Sequence, residues 1–249
     1  MKEFAGQLKS SSYRMRHSLF YLAHVLIPAA GVLLYFLYTL VRPAGLEGHL
    51  TAYMTLLAMA YPAVAGVVTA MVTEREARAG GMQNILMAPS RTRVLSCELV
   101  LLLLAGLLAA AIAVFGFGMV MSLAGYGTID SGKYICLTFI LWAGNFPVYL
   151  VHLFLGIRFG EGLTMGVGVA ETVISAVMFT GLGDGVWYYW WPSYGMRFST
   201  LYLTAKSEGM GKIFNEFTLG GICYLVISVV FLMSIFLWFE RFQGRKEEV

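Results

Sequence analysis

Charged side chains are scarce in this sequence. They make up 12% of its 249 residues, whereas a soluble domain typically carries about 25%. Hydrophobic residues account for 59% of the chain, and the mean hydropathy is +0.74. This composition argues against a soluble globular protein and favours one that is embedded in a membrane.

The sequence also lacks the motifs that most membrane enzymes need. Its four histidines are scattered, no HExxH motif occurs, and no GxSxG-like turn marks a serine nucleophile. The three cysteines lie in or beside apolar runs at no metal-ligand spacing, so they predict no metal site. Residues 127–134, GTIDSGKY, match a phosphate loop except that Tyr134 stands where Ser or Thr must reach magnesium. We therefore expect no catalytic residues and no cofactor in this chain, with a membrane enzyme as the weaker alternative.

Long apolar runs, by contrast, are abundant. Six of them reach the roughly 20 residues that a helix needs to cross the hydrocarbon core of a bilayer. Because backbone amides in hydrocarbon need partners and no run alternates like a barrel strand, each run is predicted to be a helix. The fold class is an all-α polytopic membrane protein with a single domain over residues 1–249. The predicted spans are residues 18–41, 51–73, 94–120, 135–157, 163–182 and 220–239.

The distribution of lysine and arginine predicts the orientation of these spans. Cytoplasmic loops carry an excess of both residues, and an inside N-terminus puts twelve of the 17 on the inner side. Both termini and residues 74–93 are therefore expected in the cytoplasm, and residues 183–219 outside. The net charge of +3 follows from this orientation and does not indicate a nucleic-acid partner. The inner residues are Lys2, Lys9, Arg14, Arg16, Arg75, Arg78, Arg91, Arg93, Arg158, Arg241, Arg245 and Lys246.

Two local patterns add detail to this plan. Residues 1–17 place Phe4, Leu8 and Met15 roughly on one helical face, which predicts a short amphipathic helix at the inner membrane surface. The alternative for these residues is a frayed tail. Pro28, Pro62 and Pro147 predict interruptions of regular helical hydrogen bonding inside the first, second and fourth spans.

The fifth span contains an acidic residue and a series of small residues. Glu171 lies near the middle of the span, where a charge costs about 2.5–3.5 kcal/mol on insertion scales. It is either a pathway or gating residue, or a neutral acid hydrogen-bonded to a neighbouring helix. Gly162, Gly166 and Ala170 recur every four residues, a pattern that permits close helix contact within the subunit or across a dimer.

Residues 74–93 separate the second span from the third with a polar segment far longer than a turn requires. A charged start leads through a Gly pair to a short amphipathic turn that is closed by Pro89. An apolar surface exposed to the cytoplasm usually indicates a partner, and the alternative is a helix lying flat on the lipid. The apolar residues expected to be exposed are Met82, Ile85 and Leu86.

The stretch EREARAGGMQNILMAPSRTRVLSCELV, residues 74–100, resembles the coupling segment of type-2 ABC exporter permeases. In that family a Glu-rich start, a Gly, a Leu-rich short helix and a Pro-Ser-Arg end join the second span to the third. Met82 departs from the family pattern, which has Thr directly after the glycine. The stretch GLGDGVWYYWWPSYGMR, residues 181–197, is similar to the lantibiotic-immunity permeases of the MutG/EpiG kind.

The resemblance implies a permease subunit of an ABC transporter in the bacterial cytoplasmic membrane. In the narrower family, two different permeases pair with an ATPase dimer, which binds ATP and Mg²⁺, and remove lantibiotic peptides from the producer's own membrane. The alternative is an exporter of the same architecture for another lipid-soluble cargo. The residues that the resemblance implies for docking to the ATPase are Glu74, Glu76, Met82, Ile85, Leu86 and Pro89.

The predicted outer connection, residues 183–219, is the longest on its side and holds three of the five tryptophans. Trp and Tyr favour the bilayer interface, so one interpretation is a membrane anchor. A second hypothesis is contact with a cationic, amphipathic peptide through aromatic faces and a carboxylate. The residues that would make this contact are Asp184, Trp187, Trp190 and Trp191.

Overall fold

The computed structural model of the chain describes residues 2–16, 18–205 and 210–245. Within these residues the chain forms ten α-helices and three short 3₁₀ turns, and no strand. Six segments are long and apolar enough to cross a membrane, and each overlaps one predicted span, so the all-helical fold class and the six spans are confirmed. These segments are Phe20–Thr39, Leu46–Arg78, Arg91–Leu123, Ser131–Phe159, Glu161–Phe179 and Phe214–Glu240.

The fourth span contains two helices, one helix precedes the first span, and two further helices lie between spans. We call the two ends of the bundle inner and outer according to the predicted orientation. The 3₁₀ turns are Gly181–Gly183, Trp187–Tyr189 and Trp191–Ser193. The α-helices are α1 (Lys2–Met15), α2 (Phe20–Thr39), α3 (Leu46–Arg78), α4 (Gln83–Leu86), α5 (Arg91–Leu123), α6 (Ser131–Gly144), α7 (Phe146–Phe159), α8 (Glu161–Phe179), α9 (Tyr194–Thr204) and α10 (Met210–Glu240).

Helices α3 and α8 meet backbone to backbone in the middle of the bundle. A Cβ atom at Gly168 would lie 2.7 Å from the carbonyl oxygen of Pro62, and one at Gly66 would lie 2.9 Å from that of Thr164. Glycine at these two positions therefore allows an approach that any side chain would block. Small residues are the usual means of packing membrane helices closely, because lipid supplies no hydrophobic force between them.

The fourth span is divided into two helices, α6 and α7. Helix α6 ends at Gly144, and Pro147 lies in the first turn of α7, where the missing amide proton costs no helical hydrogen bond. Asn145 at the break is fully buried, and its Nδ2 donates to the carbonyl oxygen of Leu141 at 2.8 Å. The interruption predicted at Pro147 is therefore confirmed, whereas Pro28 and Pro62 lie inside α2 and α3, which continue through them as single helices.

Residues 180–205, between α8 and α10, fold back into the bundle, and we call them the folded-back segment. Gly195, at the start of α9, lies against Gly144, where an added Cβ would be 2.7 Å from the Gly195 Cα. Tyr202 lies beside Cys136, near the other end of α6, so α9 runs antiparallel to α6. At 1.5 Å per residue, Gly144 is about 20 Å along α6 from its outer end. The segment thus reaches far into the bundle and returns; residues 206–209 of the predicted outer region lie outside the described residues.

The N-terminal helix α1 packs against the inner end of α5. Met15 is fully buried, the Cys97 thiol donates to the carbonyl oxygen of Phe4 at 3.8 Å, and Arg93 pairs with Glu3 at 2.8 Å. A helix is therefore formed over most of residues 1–17, and its location at the membrane surface remains a prediction.

Candidate functional site

The inner connection between α3 and α5 contains a tight left-handed turn followed by α4. Gly80, Gly81 and Met82 all have positive φ, at 144°, 59° and 68°. Glycine adopts such values freely, whereas a left-handed conformation costs other residues roughly 1–2 kcal/mol. The Met82 side chain is fully buried, and burial of a methionine contributes about 1.5–3 kcal/mol. Burial of the Met82 side chain therefore offsets the cost of its left-handed backbone, and residues 79–82 form a defined turn.

The same turn corrects the prediction that Met82 and Ile85 are exposed. Their side chains are 0% and 4% exposed and belong to the core, so they offer no surface to a partner in this conformation. Leu86 is half-buried and packs against the same core. Pro89 is exposed, and Met87 is 81% exposed. The exposed apolar residues at the inner end are therefore Met87 and Pro89. The prediction chose the wrong residues because helix periodicity alone does not indicate which face of a short helix points inward.

Two buried carboxylates at the inner end are held by basic residues. Glu76 is 2% exposed, and its Oε1 lies 3.1 Å from Nη1 of Arg14 and 2.8 Å from Nη2 of Arg75. Glu98 is 3% exposed and accepts a 2.9 Å hydrogen bond from Ser11, with Nη2 of Arg14 at 3.6 Å. Arg14 therefore joins α1 to both α3 and α5.

The C-terminal tail fastens further helices at this end. Nη1 of Arg245 lies 2.6 Å from Oε1 of Glu74, and Nη2 donates to the carbonyl oxygen of Gly156 at 2.7 Å, in the last turn of α7. Nη1 of Arg91 donates to the carbonyl oxygen of Phe242 at 2.7 Å, just after α10. Cations at the free carbonyl ends of helices complement the helix dipole. The predicted docking residues Glu74 and Glu76 are thus both engaged by arginines of this chain.

Glu171 forms a buried polar contact in the middle of the bundle. It is 2% exposed, and its Oε2 lies 3.0 Å from Nε2 of His152, which is fully buried in α7. Its Oε1 accepts a hydrogen bond from Nε1 of Trp191 at 3.2 Å. No pattern in the sequence singles out His152 as the partner of Glu171. An acid in one span predicts a polar partner in another, but His24 lies inside the first span and was an equal candidate. The described residues contain no group of three or more metal-binding side chains.

The small residues that the sequence singled out on α8 face away from the rest of the chain. A Cβ atom at Gly162 or Gly166 would meet nothing within 4 Å, and Ala170 is exposed. The interpretation that these positions pack within the subunit is therefore wrong, and their contact with a second subunit remains a prediction. The glycine of α8 that packs inside the subunit is Gly168.

The outer aromatic residues pack mainly against their own chain. Trp187 is fully buried against Gly220 of α10, and the Arg197 guanidinium lies 5.8 Å from its ring. Asp184 pairs with the same arginine at 3.2 Å. Trp187 therefore presents no face to a cargo in this conformation, because its ring already fills the space between the folded-back segment and α10. Trp190 and Trp191 are half-buried, whereas Tyr189 is 68% exposed.

An apolar groove of about 400 Å³ lies between α2, α3 and α5, within the roughly 300–1,000 Å³ usual for small-molecule sites. No charged residue lines it. Three of its four tyrosine hydroxyls are used inside the protein: those of Tyr35 and Tyr53 donate to backbone carbonyl oxygens at 3.0 Å, and that of Tyr61 lies 3.1 Å from the hydroxyl of Tyr149. The groove therefore offers apolar surface and few hydrogen-bonding groups.

Comparisons with protein-family models, with curated proteins and with solved structures find no match for this chain.

Proposed function

We propose that this chain is the permease subunit of an ABC transporter that expels lantibiotic peptides from the bacterial cytoplasmic membrane and so confers immunity or resistance. ATP and Mg²⁺ would be bound by a separate ATPase dimer, and a second, homologous permease would complete the complex. The observation that carries the proposal is α4, a four-residue helix between the second and third spans. It is buried on one side against the chain, and an exposed apolar surface follows it.

The inner end suits the transmission of force from an ATPase. Met87 and Pro89 provide an exposed apolar surface, in place of the buried Met82 and Ile85. Behind this surface, the ion pairs of Arg14 join α1, α3 and α5. A push on α4 would therefore move several spans together, as coupling requires.

The groove supports an amphipathic or lipid-soluble cargo. Its lining is apolar and uncharged, so it would accept the apolar side of a peptide and leave the cationic side elsewhere, since burial of an unpaired charge is costly. Tyr189, the most exposed aromatic residue described in the folded-back segment, is the more accessible candidate for contact with that cationic side.

Purification of the complex tests the transporter assignment. The tagged full chain, extracted from its native membranes in mild detergent, is expected to bring down an ATPase subunit in stoichiometric amount, identified by mass spectrometry. Met87→Asp should reduce the recovered ATPase at least about tenfold, as loss of an interface hot spot does, with no change in melting temperature. Tyr189→Asp, an exposed change at the opposite end, serves as the matched control and should retain the ATPase. Full recovery with Met87→Asp contradicts the docking surface, and absence of any ATPase from the parent complex favours the enzyme alternative.

A protection assay tests the cargo. Cells that produce the complete complex should tolerate a higher lantibiotic concentration than cells whose ATPase carries a substitution that abolishes hydrolysis. Protection against other amphipathic compounds, with none against lantibiotics, would favour the exporter of a different cargo.

A further inference from the structure

Glu171, His152 and Trp191 join three separate elements at mid-depth in the bundle. Glu171 belongs to α8, His152 to α7, and Trp191 to the deepest 3₁₀ turn of the folded-back segment. Each carboxylate oxygen serves a different partner, at 3.0 Å for His152 and 3.2 Å for Trp191. The acid therefore bridges the fourth span and the folded-back segment.

The chemistry of the three groups fixes their roles. The indole N–H of Trp191 only donates, so the oxygen that faces it must accept. The other oxygen of Glu171 lies within hydrogen-bond distance of Nε2 of His152, and the tautomer of the ring decides which atom donates. Either Nε2–H donates to the carboxylate, or a carboxylic acid donates to an unprotonated Nε2. The heavy-atom geometry is the same in both cases, so the bridge does not depend on which atom holds the proton.

Ser193 of this turn donates to carbonyl oxygens of the folded-back segment itself, and Arg197 of α9 donates to that of Met178 in α8 at 2.9 Å. Apart from the hydrogen bond to Glu171, the contacts of Trp191 and Gly195 with the other helices are apolar. The Trp191 ring meets the ring of Phe231 edge to face at 5.1 Å, and Gly195 lies against Gly144. Apolar packing alone tolerates sliding, and well-packed apolar residues are often as stable as a buried pair. The hydrogen bond between Glu171 and Trp191 therefore serves to position the segment: it fixes the depth of Trp191 in the bundle and the orientation of its ring.

We propose that Glu171 is a positioning residue that holds the folded-back segment at its depth in the bundle, and that release of Trp191 from it frees the outer end. The step at which release occurs during transport rests on the proposed function. The holding role itself is a property of the chain alone.

Thiol labelling of the full chain in membranes, without ATP or cargo, tests this role. Met196→Cys puts a thiol on a fully buried position of α9, and the native, fully buried Cys97 reports on global unfolding. The other native cysteines, Cys136 and Cys223, are changed to Ala. Labelling at each position is followed by peptide mass spectrometry.

Glu171→Leu removes both hydrogen bonds and should speed labelling at position 196 about tenfold or more, as expected when local opening no longer breaks a bond to an ionisable group. Trp191→Phe keeps the aromatic packing, loses one bond and should accelerate labelling less. Glu171→Gln is the matched control: its amide can donate to His152 and accept from Trp191, so labelling should stay at the parent rate. Cys97 should stay protected throughout.

Two results would overturn the proposal. One is a parent-like labelling rate in Glu171→Leu. The other is a rate in Glu171→Gln as fast as in Glu171→Leu, which would assign the effect to the ionisable proton. If Glu171→Leu also exposes Cys97, that variant is unfolded and the Trp191→Phe variant becomes the test. A labelling rate at position 196 that is unchanged in Trp191→Phe then refutes the holding role. No ATPase takes part in the labelling experiment. If labelling contradicts the holding role while the ATPase still co-purifies with the parent chain, the positioning role alone is refuted and the proposed function stands.

Discussion

The two ends of the bundle are held together by different chemistry. At the inner end, ion pairs and arginine caps join the helices, through Arg14, Arg91 and Arg245. At the outer end, the folded-back segment is packed by aromatic rings, with Trp187 enclosed by Tyr194, Phe198 and α10. Charged contacts fix direction and distance and transmit a push, whereas ring contacts allow repacking. The inner end is therefore suited to rigid coupling and the outer end to rearrangement.

Polar contacts also occur on the outer side: the Arg197–Asp184 pair lies within the folded-back segment, and the Lys133–Glu47 pair joins α6 to α3. The Glu171 bridge differs from both because it places a buried polar contact at the deep end of the aromatic segment. The variants below alter each kind of contact in turn and are ordered by the size of the expected effect.

The largest effect is expected from Glu171→Lys. The lysine would face His152 and the indole N–H of Trp191, so the indole would lose its acceptor and a buried cation would gain no anionic partner. Breaking a buried pair in this way costs about 3–5 kcal/mol, and the bilayer adds to the cost. We expect little folded protein by gel filtration in detergent, and normal yields of Glu171→Gln. Normal expression and activity of the lysine variant would mean that this residue lies in water.

The next effect concerns the charged inner end. Arg14→Met leaves Glu76 and Glu98 buried with fewer cationic partners, and we expect a loss of about 3–5 kcal/mol in the free energy of unfolding. Arg78→Met is the control, since the Arg78–Glu161 pair is exposed and such pairs contribute about 0–1 kcal/mol. Melting temperatures in the same detergent provide the comparison. Equal shifts for the two variants would show that the inner network is no stronger than a surface pair.

A smaller effect is expected at the aromatic outer end. Trp187→Leu removes ring volume from a fully buried site and should cost about 2–3 kcal/mol through the cavity it leaves. Tyr189→Leu, two residues away and 68% exposed, should change the melting temperature little. If Tyr189→Leu lowers protection against the cargo while Trp187→Leu lowers stability alone, then Tyr189 contacts the cargo and Trp187 packs the segment. The reverse pattern would restore Trp187 as the contact.

The sequence predicted the six candidate spans because they depend on local composition: a run is long enough or it is not. Proline lacks an amide proton at all three predicted interruptions, yet the helix is divided near Pro147 and continues through Pro28 and Pro62. Prediction from the sequence failed where the answer depends on tertiary packing. Met82 and Met87 have the same chemistry, and only the left-handed turn at Gly80–Met82 decides that the first is buried and the second exposed. Tryptophan in a long connection suggests a surface, yet Trp187 fills the interior of its own segment.

The candidate site shows the same limit. Glu171 is recognisable because an acid in a span is rare, but its partners lie 19 and 20 residues away in sequence, on other elements. His24 and His152 are both histidines inside spans. His24 bonds the carbonyl oxygen of Phe20 in its own helix, and no pattern in a single sequence separates the two.

The smallest effect on the chain itself is expected at Gly166. A Cβ added there would meet nothing within 4 Å. Gly166→Leu should therefore change the free energy of unfolding of the isolated subunit by about 0.5 kcal/mol or less, as surface substitutions do, and leave its melting temperature nearly unchanged. Gly168→Ala, half a turn away, is the opposite control, since its Cβ would lie 2.7 Å from the Pro62 carbonyl oxygen and must force α3 and α8 apart. If a second permease packs on the open face, Gly166→Leu should still weaken pairing, because small residues set how closely two membrane helices approach. Cross-linking of the purified complex measures this pairing. Unchanged pairing would assign the open face of α8 to lipid, and a dimer, if one forms, would use another helix.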